Sequence, residues 1–433
     1  RLAAWLGQPL KQPDPGPLKV RAELGADGAK VTLKEATING KALKAKASGS
    51  FDGSNPVAVF KANVDIEQMD LNAYLPPEKK KKAKVRKRAT AKKAAQKKPG
   101  GWSEEPFDLT PLSKAKGDIQ VKIASVRYRD LIIQSGRMAT TLVGGILKTS
   151  IDELKMADGT VSASATLDGS GSGASIDYQV SIAGVKAMPM LKAFAGTDRL
   201  SGKVQFEAKG KAKGGNQKEF VSSLNGDGRF KFLDGAIHGI NLAASLRKVK
   251  TLGFGGGEKE KTDFAEISGS FVIKQGVLDN RDFKMLAPLI RLSGEGFVPM
   301  PPRTIDYQVE AKLVASLSGQ GGGDAMAGLP IPIRLKGPWD KVDYKVDWKS
   351  FFGLAAKDPT RLKNMPKDLR AMGEKFGVPL TVPGTEKLGG LLEKIPGFST
   401  GKKAPESSGE QPEQEKASSE TDPLKSLKGL FGR

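Results

Sequence analysis

The 433-residue chain has one histidine and no cysteine. His238 lies in Asp234-Gly-Ala-Ile-His-Gly-Ile-Asn-Leu242. Its ring is the ordinary choice for general acid–base work near neutral pH. The stretch reads as a hairpin return, where a single histidine usually serves the turn or the surface. No carboxylate pair stands out, because Asp and Glu mostly alternate with apolar residues. The missing cysteines remove disulfides, zinc thiolate sites and thiol nucleophiles, and they suit an oxidising compartment. Residues 253–257 and 319–323 are glycine-rich, as phosphate loops are. The first lacks a Gly-Lys-Ser/Thr ending, and neither follows a buried parallel strand and opens a helix. Both read as flexible loops. The expectation is a non-enzyme with no catalytic residue, no metal site and no cofactor.

The net charge is +22, and residues 78–98 hold twelve Lys/Arg against one acid, half of the excess. A run at 79–98 of this kind can contact nucleic-acid phosphates, but it has no aromatic side chain to stack on bases. An anionic membrane surface would attract it equally. A solvated linker is the preferred reading, and nucleic acid is not an expected partner. No apolar run approaches the roughly 18 residues that span a bilayer. The chain opens on Arg1, so it reads as a fragment whose signal or anchor would lie further upstream.

The elements that would position any site are strands. In Ile305-Asp-Tyr307-Gln-Val309-Glu-Ala311-Lys-Leu313 the odd positions are apolar and the even ones polar. Successive side chains of a strand point to opposite faces, so such a segment has one greasy and one wet face. The alternation recurs at 60–67, at Ile176-Asp-Tyr178-Gln-Val180-Ser-Ile182, at Val204-Gln-Phe206 and at Phe230-Lys-Phe232. The pentapeptide Ile-Asp-Tyr-Gln-Val thus occurs twice. Asp-Gly or Asn-Gly steps at 27–28, 39–40, 52–53, 158–159, 168–169, 225–226 and 234–235 mark turns. Short helices are expected at 242–250, capped by Asn241, and at 188–195.

The predicted fold is mainly β. It is a long curved antiparallel sheet, a meander forming an apolar groove or open barrel, with a few short helices and disordered tails. The expected parts are a β-repeat segment at 1–75, a basic disordered linker at 76–104, a β domain at 105–350 and a low-complexity tail at 351–433. Residues 401–422 contain no Val, Ile, Leu or Phe, too little to bury a core. Leu424, Leu427, Leu430 and Phe431 have the spacing of a short terminal amphipathic helix.

A series of motifs resembles the C-terminal region of the AsmA family, from Ile119 to Val346. Leu224-Asn-Gly-Asp-Gly-Arg-Phe-Lys-Phe precedes the Asp234–Leu242 return, followed by Thr262-Asp-Phe264-Ala-Glu-Ile267-Ser-Gly269 and Gly276-Val277. Ile290-Arg-Leu-Ser-Gly294-Glu-Gly296, the second Ile-Asp-Tyr-Gln-Val and Leu329-Pro-Ile-Pro-Ile333-Arg-Leu-Lys-Gly337 complete the series. Residues 1–75 are compatible with the family's preceding β-repeats. Asn241 stands where the family often has Asp, and the basic insert has no counterpart in its pattern. The resemblance implies a protein of the Gram-negative envelope, anchored in the inner membrane ahead of Arg1 and facing the periplasm. It also implies kinship with bridge-like lipid-transfer proteins.

A one-sided apolar strand has to be covered. A second sheet can do this, as in an ordinary packed core, or acyl chains can do it in an open trough. The expected lipid-facing residues are Ile176, Tyr178, Val180, Ile182, Val204, Phe206, Phe230, Phe232, Phe271, Ile273, Ile305, Tyr307, Val309 and Leu313. The expected function is to bind or conduct phospholipids between the inner and outer membranes, supporting outer-membrane biogenesis. The alternative is an assembly factor for outer-membrane proteins, which would be its partners, working through exposed sheet edges.

Overall fold

The computed structural model describes residues 16–75, 101–242, 260–314 and 330–357, with Gly373 and Lys375. The basic run at 79–98, both glycine-rich stretches, residues 243–250 of the expected helix and the tail from 401 onward lie outside them.

Period-two alternation yields eighteen strands in one sheet. The first block is β1 (Leu18–Asp27), β2 (Lys30–Gly40), β3 (Leu43–Asp52) and β4 (Ala58–Asp70). The middle holds β5 (Ala115–Ile123), the short β6 (Val126–Tyr128), β7 (Leu131–Val143), β8 (Ile146–Met156), β9 (Gly159–Asp168), β10 (Ala174–Lys186), β11 (Lys203–Gly214) and β12 (Asn225–His238). The last are β13 (Lys261–Lys274), β14 (Val277–Leu286), β15 (Ile290–Pro299), β16 (Thr304–Leu313), β17 (Pro330–Pro338) and β18 (Asp343–Val346). Helices among the described residues include α1 (Thr110–Ser113), α2 (Ala187–Phe194), α3 (Gln217–Ser223) and, after β18, α4 (Trp348–Ala356).

Neighbours in sequence are neighbours in the sheet, paired antiparallel, except around β4 to β7, where β6 continues the line of β5 and both lie between β4 and β7. β4 lies parallel to β5, from Ala58↔Ala115 to Ile66↔Ile123, and β5 then pairs with β7. The sheet is therefore mixed, and it runs unbroken through the boundary expected at 76–104. Among the described residues β1 pairs with β2 alone and β18 with β17 alone, so the sheet has two free edges.

Two expected turns are not turns. Asn225-Gly226 opens β12 and Asp234-Gly235 lies within it. A Cβ at Gly235 would run into Ser201 O and the Phe264 ring. Glycine here permits close packing rather than reversal.

Register carries one apolar face across the strands. One row runs Val20, Ile38, Ala45, Ile66, Ile123, Gly136, Leu154, Val161, Ile182, Phe206, Phe230. The next runs Ala22, Ala36, Ala47, Val64, Val121, Met138, Ile151, Ala163, Val180, Ala208, Gly228, Phe271. The opposite face holds cross-strand ion pairs such as Arg229–Glu207 (2.7 Å) and Lys231–Glu266 (2.9 Å). Exposed pairs contribute about 0–1 kcal/mol each. They mark the wet side more than they hold the sheet. Register shifts interrupt eight of the pairings, and such bulges bend and twist a sheet.

Protein covers this face at two places. α2 buries Ala187 and sets Ala193 down with Leu131, Met156 and Val185. α4 starts at Asp347, whose carboxylate accepts from Ser350 N (3.0 Å) and Oγ (2.7 Å). Its Trp348, Phe351, Phe352 and Ala355 pack on Phe264, Ile267, Met285, Ile290, Ala311 and Ile331. α4 crosses the domain end expected at 350, because its aromatic residues complete the core of the last strands.

Residues 101–113 form a strap along the rim opposite the helix-covered row. Trp102 Nε1 donates to Met300 O (2.8 Å), its ring stands edge-on to Trp339, and the Arg303 guanidinium lies 4.3 Å from its centroid. Phe107 N–H donates to Gly215 O (2.8 Å), and Leu109 and Leu112 lie beside Gly169. From Trp102 to Ala115 the backbone reaches about 37 Å, allowing for the helical turn. The rim it follows is roughly ten strand spacings, about 48 Å.

Phe351 and Phe352 are fully buried. Phe351→Ala should cost about 3–5 kcal/mol, measured as a lower denaturant midpoint, whereas Leu354→Ala on the exposed side of α4 should change it little.

Candidate functional site

The sheet gathers the expected residues onto the single apolar face. Ile182, Phe206 and Phe230 sit opposite one another on β10, β11 and β12. Val180 aligns with Ala208, Gly228 and Phe271, and Tyr178 with Gly210, Gly226 and Ile273. Val204 faces Phe232, which faces Ile267. On β16, Val309 stands between Gly294 and Ile333, and Tyr307 between Gly296 and Leu335. Ile305 pairs with Gly337, and Leu313 holds backbone register with Ile290; the Leu313 side chain lies outside the described set.

Their cover differs. Val204 is 2% exposed and Ile273 7%. Phe230 and Phe232 lean on the cluster under α4, and Ile182 on the cluster under α2. Ile176, Tyr178, Val180, Phe206 and Phe271 are half-buried, with Phe206 and Phe271 stacked at 6.3 Å. Between the covered row and the strap lies an apolar floor that none of the described residues closes.

The floor extends further than the expected residues. Val20, Leu24 and Phe51 on the first strands are 59%, 64% and 48% exposed, and register puts all three on the same face. Phe60, Val64, Ile119 and Val121 continue it. Alternation marks β4 clearly, but the shift between Leu33 and Ala36 breaks the pattern in β2.

Two hydrogen-bonded polar pairs lie in the rows, Thr140/Thr149 and Asn280/Tyr307. The threonine hydroxyls lie 3.2 Å apart across β7 and β8. Asn280, 5% exposed, occupies the bulge between β13 and β14. Its Nδ2 donates to Ser270 O (2.6 Å) and Asp282 Oδ1 (2.9 Å), and Ser270 N–H donates to Asp282 Oδ1 (2.7 Å). These side chains supply the ladder bonds that the bulge removes. Tyr307 Oη donates to Asn280 Oδ1. Burial, and then the charges of Asp282 and Glu295, push the Tyr307 phenol well above its ordinary value.

His238 Nε2 lies 3.0 Å from Ser201 Oγ, which also accepts from Ala236 N (3.0 Å). Among the described residues no carboxylate bonds the ring. No group of three His, Cys, Asp or Glu among them could hold a metal. A concavity of about 1050 Å³ lies off the apolar floor. It is a polar rim hollow lined by Asp168, Ser170, Lys213, Glu219 and Asn225 among others.

A family model described as the AsmA family matches residues 17–283. The chain is similar to Protein AsmA of Escherichia coli (strain K12), 23% identical over 236 residues, which cover 53% of this chain and 38% of that protein. The match therefore spans well under half of that relative's length. No solved structure matches. The family match begins just before β1 and ends within β14, so it takes in the first strands, which motif reading alone left merely compatible.

Tyr307→Phe should leave Asn280 Oδ1 unpaired and cost about 1–3 kcal/mol. A raised folded-state phenol pKa stabilises the fold fully below about pH 10, the unfolded value, and that contribution is lost as pH rises through the folded value. The denaturation midpoint of the unaltered chain should fall more steeply above about pH 10 than that of Tyr307→Phe.

Proposed function

The chain belongs to the AsmA family, and on that premise we propose that it binds phospholipids on its apolar face and passes them along it within the Gram-negative envelope. The work is non-enzymatic and supports outer-membrane biogenesis, and the chain faces the periplasm from an inner-membrane anchor. No helix among the described residues is long and apolar enough to cross a membrane, so the anchor is assigned to sequence outside them.

The observation that carries the reading is the floor itself. Rows of apolar side chains cross the strands in register from β1 to β13, half-buried, with no second sheet over them among the described residues. Each methylene moved from water onto such a surface gains about 0.8 kcal/mol. The attraction has no preferred direction, so an acyl chain shifting from one row to the next keeps nearly the same burial. Movement along the sheet then needs no bond-making step.

A second reading rests on the edges. β1 has a free backbone edge among the described residues, with Val20 and Leu24 exposed beside it. A client strand of an outer-membrane protein can add there by main-chain pairing.

A photo-crosslinking residue at Val180 tests the first reading. Irradiation in cells should give adducts with phospholipid, identified by mass spectrometry. Adducts with protein alone would overturn it, and the same probe at Val20 capturing an unfolded porin would favour the second. Val180→Arg, which puts a charge on the open floor, should lower co-purified phospholipid several-fold and leave expression intact.

A further inference from the structure

The two Ile-Asp-Tyr-Gln-Val copies place a tyrosine at equivalent points of the floor, Tyr178 on β10 and Tyr307 on β16. Each ring lies across a glycine of the neighbouring strand. A Cβ added at Gly210 would stand 2.9 Å from Tyr178 Oη, and one at Gly294 would stand 2.9 Å from Tyr307 Cε1. The local geometry repeats, but the hydroxyl chemistry does not. Tyr307 Oη is answered by Asn280. Tyr178 Oη has no hydrogen-bond partner among the described residues. Directly opposite it stand Ala165 and Gly210, and Gly226 follows. The nearest hydroxyl in its row is Thr149, two strands away, which is occupied with Thr140.

In an empty trough water can serve this hydroxyl. Hydrocarbon laid over it would strand the donor, which is unfavourable. Resting on the lipid-binding reading above, we propose that Tyr178 is a specificity-determining residue whose hydroxyl donates to the ester carbonyl of an acyl lipid. The lipid would pause there with its ester at Tyr178 and its chain along the rows Ile182–Phe206–Phe230 and Val180–Ala208. A neutral carbonyl fits better than a phosphate or a free carboxylate. Every residue in register with Tyr178 from β9 to β13 is uncharged, and a buried anion needs a counter-charge. Burial also raises the Tyr178 phenol above its ordinary value, so it remains a donor at any physiological pH.

The test compares ester with ether lipids. Purified protein is incubated with vesicles of equal parts dioleoyl phosphatidylglycerol and its dialkyl ether analogue, re-isolated, and its bound lipid counted by mass spectrometry. The unaltered chain should favour the ester form by about fivefold, one hydrogen bond's worth of selectivity. Tyr178→Phe should still bind lipid, but with the preference gone. Tyr307→Phe, if it folds, should keep the preference. Equal uptake of both lipids by the unaltered chain, or an ester preference that survives in Tyr178→Phe, would overturn the assignment while leaving the lipid reading in place. Uptake of neither lipid would sink both. If Tyr178→Phe fails to fold, the ester-to-ether ratio of the unaltered chain still decides.

Discussion

A β-sheet with one apolar face cannot rest in water until something covers that face. Here eighteen strands share one such face, and the described protein covers only parts of it. α2 and α4 seal short stretches along one row, and the strap runs along the far rim. At α4 the burial is complete, with Phe351, Phe352 and Ala355 fully shielded. At the β1 end it is slight, with Leu24 64% exposed. The same face therefore grades from an ordinary core under α4 to a bare surface at β1. What covers it is answered differently along its length.

Polar satisfaction follows the same gradient. Where the floor is covered, the bulge near Ser270 has every side chain engaged, and Tyr307 closes the network through Asn280. Where the floor is open, Thr140 and Thr149 bond each other and Tyr178 bonds nothing described. Buried polar groups are expensive to leave unpaired, so a hydroxyl without a protein partner belongs where another molecule supplies one. The wet face is conventional by comparison. Its exposed ion pairs are the sort that salt screens and that add little stability.

The faces were legible in the sequence wherever a strand kept period two, as in β4, β10 and β16. The helix near residue 190 was also legible, from its apolar run. Three features were not. Bulges shift the period by one, so β2 and β14 hide their faces, and the buried role of Asn280 depends on a partner on another strand. α4 looks like the start of a tail, because Trp348, Phe351, Phe352 and Ala355 reveal their use only once β13 to β17 lie beneath them. Trp102 sits just beyond a basic run, where composition suggests linker, and its partners at Met300, Arg303 and Trp339 are remote in sequence. Local pattern reports local structure; long-range contact is set by the whole sheet.

The parallel seam between β4 and β5 bears on how the sheet assembles. Most other joins link strands close in sequence and can zip locally. The seam pairs Ala58 with Ala115, the widest separation between paired neighbours in the sheet. Closing such a loop loses more chain entropy than any hairpin, and non-local pairing is slow. β1 to β4 should therefore form as one block and β5 to β18 as another, with the seam the last junction to knit. Until it does, each block shows a free strand edge beside a greasy face, the combination most prone to pairing with another chain. The seam thus makes the nascent protein, rather than the finished one, the form most in need of protection.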